Sequence, residues 1–203
     1  MSFGGLMINE SEINLLELVK EAEKTGSPKM IQLANEAAAQ LRYLSSIANI
    51  DILTGLFNRR GIKTFRNYQA VAMCDVDNFK NVNDIFGHPM GDEVLRSVAQ
   101  IIRNNIRGED AACRYGGDEM LIIFSTNDVD IVLKRMENIC NEVKRSINLP
   151  SVPVTLSVGI AIKQNDERLE DLIQNADDAL YESKGNGKDR VTVYKPKQKI
   201  LNI

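Results

Sequence analysis

With 203 residues, 43% apolar and 26% charged, the chain has the make-up of a soluble globular protein rather than a disordered or membrane-spanning one. Its formal net charge of −3 argues against nucleic-acid binding through overall positive charge and leaves room only for a local basic pocket. The length suits one ordinary domain with a sizeable core plus an extension.

Three cysteines, Cys74, Cys113 and Cys140, are odd in number and set in apolar runs, so they read as buried thiols in a reducing compartment. The start, MSFGGLMINE, lacks the basic region and long apolar core of an export signal. Nowhere do about 18 apolar residues run together, so no membrane segment and a cytoplasmic location are expected.

In chain order, Asn9 with Glu12 resembles a capping box, and INLLELVKEAEKT then predicts an amphipathic helix to Gly26. Ser27-Pro28 is a second start signal. The helix after it sets Ile31, Ala34, Ala38 and Leu41 on one stripe, which suits packing onto the chain's own domain as well as pairing with a second copy. GIKTFRNY predicts a helix after a turn at Asn58, and AVAMCDV (70–76) a buried strand. GDEVLRSVAQIIRNNI predicts a helix, and AACRY and EMLIIF flank a Gly-Gly turn as a hairpin. DIVLKRMENICNEVKRSI reads as a helix, VPVTLSVGIAI as a buried strand, LEDLIQNADDALYESK as a helix and RVTVY as a closing strand. The domain is therefore α/β, and its hairpin disfavours a purely doubly wound parallel sheet.

Acids mark the strand ends. In CDVDNFK, Asp75 and Asp77 are two residues apart, so an extended chain directs both to one side. Asp118 and Glu119 leave the Gly-Gly turn. If the two strands are neighbours, Asp75 and Asp118 converge, and carboxylates packed that closely repel unless a cation joins them. Hard oxygen donors in that number fit Mg²⁺, which is usually held by one or two carboxylates plus substrate phosphates. An acidic turn alone is more often simply solvated; the second acid cluster on a buried strand reverses that preference.

NVNDIFGHPMGDEVL adds Asn83, His88 and Asp92 around two glycines. Asn can donate and accept on a base edge, and a carboxylate can accept from guanine N1–H and N2–H₂ together. His88 reads more readily as a turn residue bonded to its own loop than as a catalytic base. Lys80, Lys184 and Lys188 supply cations where phosphates would need them, although a lysine at a helix end is usually only solvated.

Together these segments resemble the GGDEF family, the diguanylate cyclases, from about Ile50 to Tyr194. DILTGLFNRRG is similar to the family's opening signature, DVDNFKNVND to its metal strand and GHPMGDEVL to its guanine-binding turn. RYGGDEM resembles its namesake motif and NADDALYESKGNGKDRV its closing segment. The resemblance implies a palm-like nucleotidyl cyclase domain, with a central, mainly antiparallel sheet flanked by helices, over residues 49–197. An N-terminal helical extension of two helices, for dimerisation or signalling, would occupy 1–48.

It further implies condensation of two GTP into cyclic di-GMP and two pyrophosphates by a homodimer of such domains, with Mg²⁺ as cofactor and Mn²⁺ as an alternative. Asp75, the Val76 carbonyl, Asp118 and Glu119 take the metal positions, and Asp118 the place of the base toward the ribose 3′-hydroxyl. Asn83 and Asp92 match the guanine readers, with His88 in the same pocket. Lys80 matches a charge-stabilising residue, and Lys184 and Lys188 the phosphate clamp. RGED, Arg107 to Asp110, resembles the family's RxxD product-inhibition site for cyclic di-GMP.

Two departures stand out. Met120 replaces the usual phenylalanine, which predicts retained packing with a looser Asp118 and reduced activity. Lys188 replaces the more frequent arginine, keeping the charge without the bidentate fork. Asp92 favours guanine over adenine, because adenine lacks the paired donors. The competing expectation is an idle domain that senses cyclic di-GMP or GTP. Idle domains lose the metal acids or the guanine readers, and this sequence keeps both.

Overall fold

A computed structural model of the protein describes residues 17, 19–24 and 26–196. The Asn9–Glu12 capping box lies outside them, as do about half of the first predicted helix and residue 197, the expected end of the domain; residues 19–24 are helical. Helix α1 (Pro28–Ala48) begins at the proline, as the Ser-Pro signal predicts. Ala34 and Ala38 are buried within a single copy, whereas Met30, Leu33 and Leu44 are half exposed. Of the predicted stripe, Ile31 is half-buried and Ala34 and Ala38 are buried, and the Leu41 side chain lies outside the described residues.

Among the described residues eight strands follow: β1 (Phe57–Asn58), β2 (Ala70–Val76), β3 (Ala111–Arg114), β4 (Glu119–Phe124), β5 (Asn148–Leu149), β6 (Val152–Pro153), β7 (Leu156–Ile162) and β8 (Arg190–Val193). Six form one sheet in the order β1-β3-β4-β2-β7-β8. The four inner strands pair antiparallel, and only the short edge strands β1 and β8 pair parallel. Strands β5 and β6 make a separate two-stranded ribbon. A mainly antiparallel central sheet flanked by helices is the expected architecture.

Strand alternation divides the core in two. Ala70, Ala72, Cys74, Met120, Ile122 and Phe124 face one layer, containing Val94, Leu95 and Val98 of α3 (His88–Asn105) and Val132, Met136 and Ile139 of α4 (Val129–Ser146). Val71, Met73, Leu121 and Ile123 face the other, with Leu172, Ala176 and Leu180 of α5 (Leu169–Gly185). Met120 is fully buried opposite Cys74, so the apolar packing expected of it is present. All three cysteines are buried free thiols, each raised by burial, Cys113 and Cys140 to about 12.

Two local expectations need correction. GIKTFRNY makes only a 3-10 turn, Gly61–Thr64, because Phe65 turns extended and is buried beside Ile62 in the second layer. NVNDIF, for which the sequence reading named no element, is the body of helix α2 (Phe79–Phe86), whose Phe79, Val82 and Phe86 return every three or four residues against the first layer. The run VPVTLSVGIAI is broken at Val154-Thr155 into β6 and β7.

Candidate active site

Strand β2 carries Asp75 in register opposite Glu119 of β4 and Ser157 of β7. The Val76 N–H donates to the Asp118 carbonyl across 3.3 Å, so the ends of β2 and the Gly-Gly turn are laced together. Asp118 and Glu119 are half-buried beside the largely buried Asp75. Burial raises the Asp75 carboxyl above its ordinary value; Lys184 opposes this, and the Asp118 and Glu119 charges add to the rise. Lys184 Nζ lies 2.6 Å from Asp75 Oδ2, so a cation already sits on this carboxylate. That cation does not fully offset the burial and repulsion, which is the electrostatic condition a divalent ion would relieve.

The donor set fits such an ion as well. Asp75, the Val76 carbonyl and Asp118 are hard oxygens, suited to Mg²⁺ or Mn²⁺. Among the described residues no cluster of three or more His, Cys, Asp or Glu side chains stands close enough to hold an ion by itself. The Glu119 carboxylate folds over the Gly-Gly turn, where a Cβ on Gly116 would collide with its Oε2. A side chain at 116 would therefore displace the Glu119 carboxylate from this position.

Asp77 does not join this group. Strand β2 ends at Val76, and Asn78 turns left-handed (φ 59°), so the alternation that put both acids on one side stops short of Asp77. It is 1% exposed and accepts hydrogen bonds from Thr155 Oγ1 at 2.7 Å, Ser157 Oγ at 2.6 Å and the Asp189 N–H at 3.1 Å.

Beside the acids, helices α2 and α3 meet at Gly87 (φ 81°). Gly91 is buried where they cross, and a Cβ there would collide with Asn83 Oδ1 and lie 3.2 Å from Phe79 Cζ. Its absence lets the Asn83 amide lie along the first turn of α3, one residue from the half-buried Asp92. His88 opens α3 and is exposed; it makes no hydrogen bond among the described residues, so it is not the self-bonded turn residue expected. Lys80, in the first turn of α2, is exposed and likewise has no ion pair or hydrogen bond among them. Lys188 donates to Asn78 Oδ1 at 2.9 Å from a left-handed backbone (φ 63°). The structure therefore brings Asp75, Asp118, Glu119 and Lys184 to one end of the central strands. Asn78 links Lys188 to the start of α2.

Arg107 and Asp110 lie away from those strand ends, beyond α3. The Arg107 side chain is exposed, with Glu109 3.8 Å from it. Asp110 is sealed: Oδ1 takes the N–H and hydroxyl of Ser125, and Oδ2 takes the Arg107 N–H and Arg135 Nη1 at 2.5 Å. Its carboxylate shapes the turn that presents Arg107.

Sequence reasoning also missed a brace behind the turn. Arg114 donates through Nε and Nη2 to the Gly117 carbonyl at 3.0 and 2.8 Å, and Nη1 reaches Asp51 Oδ2 at 3.4 Å. Burial would raise the Asp51 carboxyl, but hydrogen bonds from Thr54 and the Arg114 charge outweigh it and hold the group below its usual value. The signal was present as acid and base in two motifs 63 residues apart, which no local spacing rule connects.

The family model "Diguanylate cyclase, GGDEF domain" matches residues 48–190. The chain is 36% identical over 161 residues to diguanylate cyclase DosC of Escherichia coli K12, covering 72% of this chain and 35% of that protein. It is 38% identical over 130 residues to diguanylate cyclase A of Treponema denticola, covering 62% of this chain and 35% of the relative. The chain thus spans about a third of the length of these curated relatives. The coiled coil and GGDEF domain of DgcB from Caulobacter crescentus, crystallised with c-di-GMP, superposes with a TM-score of 0.71 at 32% identity. That match covers 85% of this chain and 98% of that one.

Proposed function

The chain belongs to the GGDEF-domain family of diguanylate cyclases, and we propose that it condenses two GTP molecules into cyclic di-GMP, releasing two pyrophosphates. The observation that carries the reading is the buried, incompletely neutralised Asp75, set between the Gly-Gly turn and Lys184. A structural carboxylate would be satisfied by its neighbours, as Asp77 is; Asp75 is left short of positive charge.

In this reading Asp75, the Val76 carbonyl and Asp118 hold Mg²⁺ or Mn²⁺, and Glu119 supports them from the turn. A divalent cation there supplies a lower pKa for the attacking hydroxyl and neutralises charge on the α-phosphate and leaving group. Asp118 takes the proton from the ribose 3′-hydroxyl as that oxygen bonds to the α-phosphorus of the facing nucleotide, and the bond to pyrophosphate breaks in line. Lys80, Lys184 and Lys188 neutralise the triphosphate. Asn83 and Asp92 hold the guanine edge, with His88 beside them.

One domain holds one GTP, so the working species is a homodimer of facing half-sites. Residues 1–48 form the helical extension that brings the copies together and 49–197 the catalytic domain, and raising the local concentration of half-sites is the extension's contribution. Arg107, on the turn fixed by Asp110, grips product as the inhibitory contact. No described helix is long and apolar enough to cross a membrane, and the reaction's nucleotide substrate places the domain in the cytoplasm.

The test is incubation of purified protein with GTP and Mg²⁺ after removal of bound nucleotide. Cyclic di-GMP formation that disappears in Asp118→Asn is the expected result. A dimeric sample that binds GTP or cyclic di-GMP but makes no product would replace the enzyme with a sensing module.

A further inference from the structure

After α5 the backbone passes through three successive left-handed residues, Gly187 (φ 104°), Lys188 (φ 63°) and Asp189 (φ 48°), before β8 begins. Two of them carry side chains, and each such residue costs about 1–3 kcal/mol unless its surroundings hold it there. The Lys188 N–H donates to the Ser183 carbonyl at 3.0 Å, and Lys144 Nζ holds the Asp189 carboxylate from α4 at 2.5 Å. The interior hold is Asp77. Its Oδ2 accepts the Asp189 N–H while Thr155 and Ser157 fix the carboxylate from β7's leading end, and the Asp77 N–H donates to the Thr155 carbonyl at 2.9 Å. Asp77 stands two residues from Asp75 and one from Asn78, the acceptor for Lys188 Nζ. One buried side chain therefore joins the strand bearing the acids to the strained run bearing Lys188, which follows directly on the helix bearing Lys184.

We propose that Asp77 is a positioning residue for the phosphate grip. By holding the Asp189 N–H, it keeps 187–189 in the left-handed run and so sets Lys188, and the last turn of α5 with Lys184, over the strand ends. This rests on the reading of those lysines as triphosphate ligands. Without the bracket the run relaxes toward right-handed or extended backbone, which swings Lys188 away from Asn78. The guanine pocket, on α2 and α3, is untouched by that movement. Asp77 therefore governs affinity for the β- and γ-phosphates and leaves base recognition alone.

Calorimetric titration of the full chain in Mg²⁺ with a non-hydrolysable GTP analogue and, separately, with GMP tests this. For Asp77→Asn, loss of a charge-assisted buried acceptor predicts about tenfold weaker binding of the triphosphate and less than about twofold for GMP. On an Asp189→Gly background, which lacks both the side-chain penalty for a left-handed backbone and the Lys144 contact, Asp77→Asn should weaken the triphosphate less than about threefold. Should Asp77→Asn not fold, the milder Thr155→Val, which removes one orienting hydroxyl, should weaken the triphosphate about threefold and spare GMP. Equal weakening of both ligands, or no weakening of either, overturns the proposal. A parent chain that binds GMP but gains nothing from the added phosphates overturns it too. Binding of neither nucleotide by the parent would instead sink the nucleotide reading on which the proposal stands.

Discussion

Substituting Gly91 by alanine separates guanine recognition from folding. Gly91 lies inside α3, where alanine is favoured over glycine by about 1 kcal/mol. The new methyl would meet Asn83 Oδ1, the far end of a side chain free to rotate, and Phe79 Cζ at 3.2 Å, which must yield a few tenths of an ångström. The helical gain and the small repacking strain nearly cancel, so the melting temperature should move by less than a few degrees. The Asn83 amide, however, must leave the first turn of α3. Losing its hydrogen bonds to a base edge costs about 1–3 kcal/mol, which is roughly 5- to 140-fold in KM for GTP. Because base contacts are made equally in ground and transition states, kcat should change far less. Steady-state kinetics at varied GTP, with thermal melts of the same samples, decide it. An unchanged KM would show that the Asn83 rotamer seen here is not the one that reads guanine. A large drop in melting temperature would show that the glycine serves helix crossing rather than the pocket.

Asp75→Asn should abolish turnover yet stabilise the metal-free protein at neutral pH by about 0.5–2 kcal/mol, read from chemical denaturation, since it removes a charge that burial disfavours. The pH dependence follows in sign: a carboxyl raised in the folded state contributes stability below its unfolded value near 3.8 and loses it as pH rises through the raised folded value. The stability advantage of Asp75→Asn over the parent should therefore shrink on acidification through that window. Asp110→Ala should destabilise the fold by about 3–5 kcal/mol, because the 13%-exposed Arg135 side chain loses its buried partner. Arg107→Ala, on the exposed side of the same turn, should keep the melting temperature while weakening cyclic di-GMP binding in a direct titration. Arg114→Ala should lower kcat more than it raises KM, since the Gly117 carbonyl loses both donors that fix the turn before Asp118.

How much of this was legible in the sequence depends on whether the signal was local. Strand β2 announces itself as seven consecutive buried residues, and α3 and α4 by apolar spacing, so sheet and layers could be anticipated. Helix α2 was equally readable from Phe79, Val82 and Phe86, but Asn81, Asn83 and Asp84 between them have the look of loop chemistry. Asp77 was expected on the same side as Asp75 from strand alternation, and its bonds to Thr155, Ser157 and Asp189 were not readable; only the left-handed Asn78 reveals where β2 stops. The sealing of Asp110 depends on Arg135 of α4 and Ser125, neither of which the RxxD spacing can indicate. Asp75, Asp118, Glu119 and Lys184 gather at one end of the sheet, as convergence of neighbouring strands requires. What the sequence could not tell is that Lys184 already sits on Asp75, a contact across 109 residues.

The most direct test of the account is electron paramagnetic resonance of Mn²⁺ titrated into the protein with a non-hydrolysable GTP analogue. Immobilised Mn²⁺ should appear with the parent chain only when the analogue is present, and should vanish in both Asp75→Asn and Asp118→Asn. Equal Mn²⁺ immobilisation by the parent and those two variants would contradict the claim that acids from adjacent strands share the ion that anchors the triphosphate.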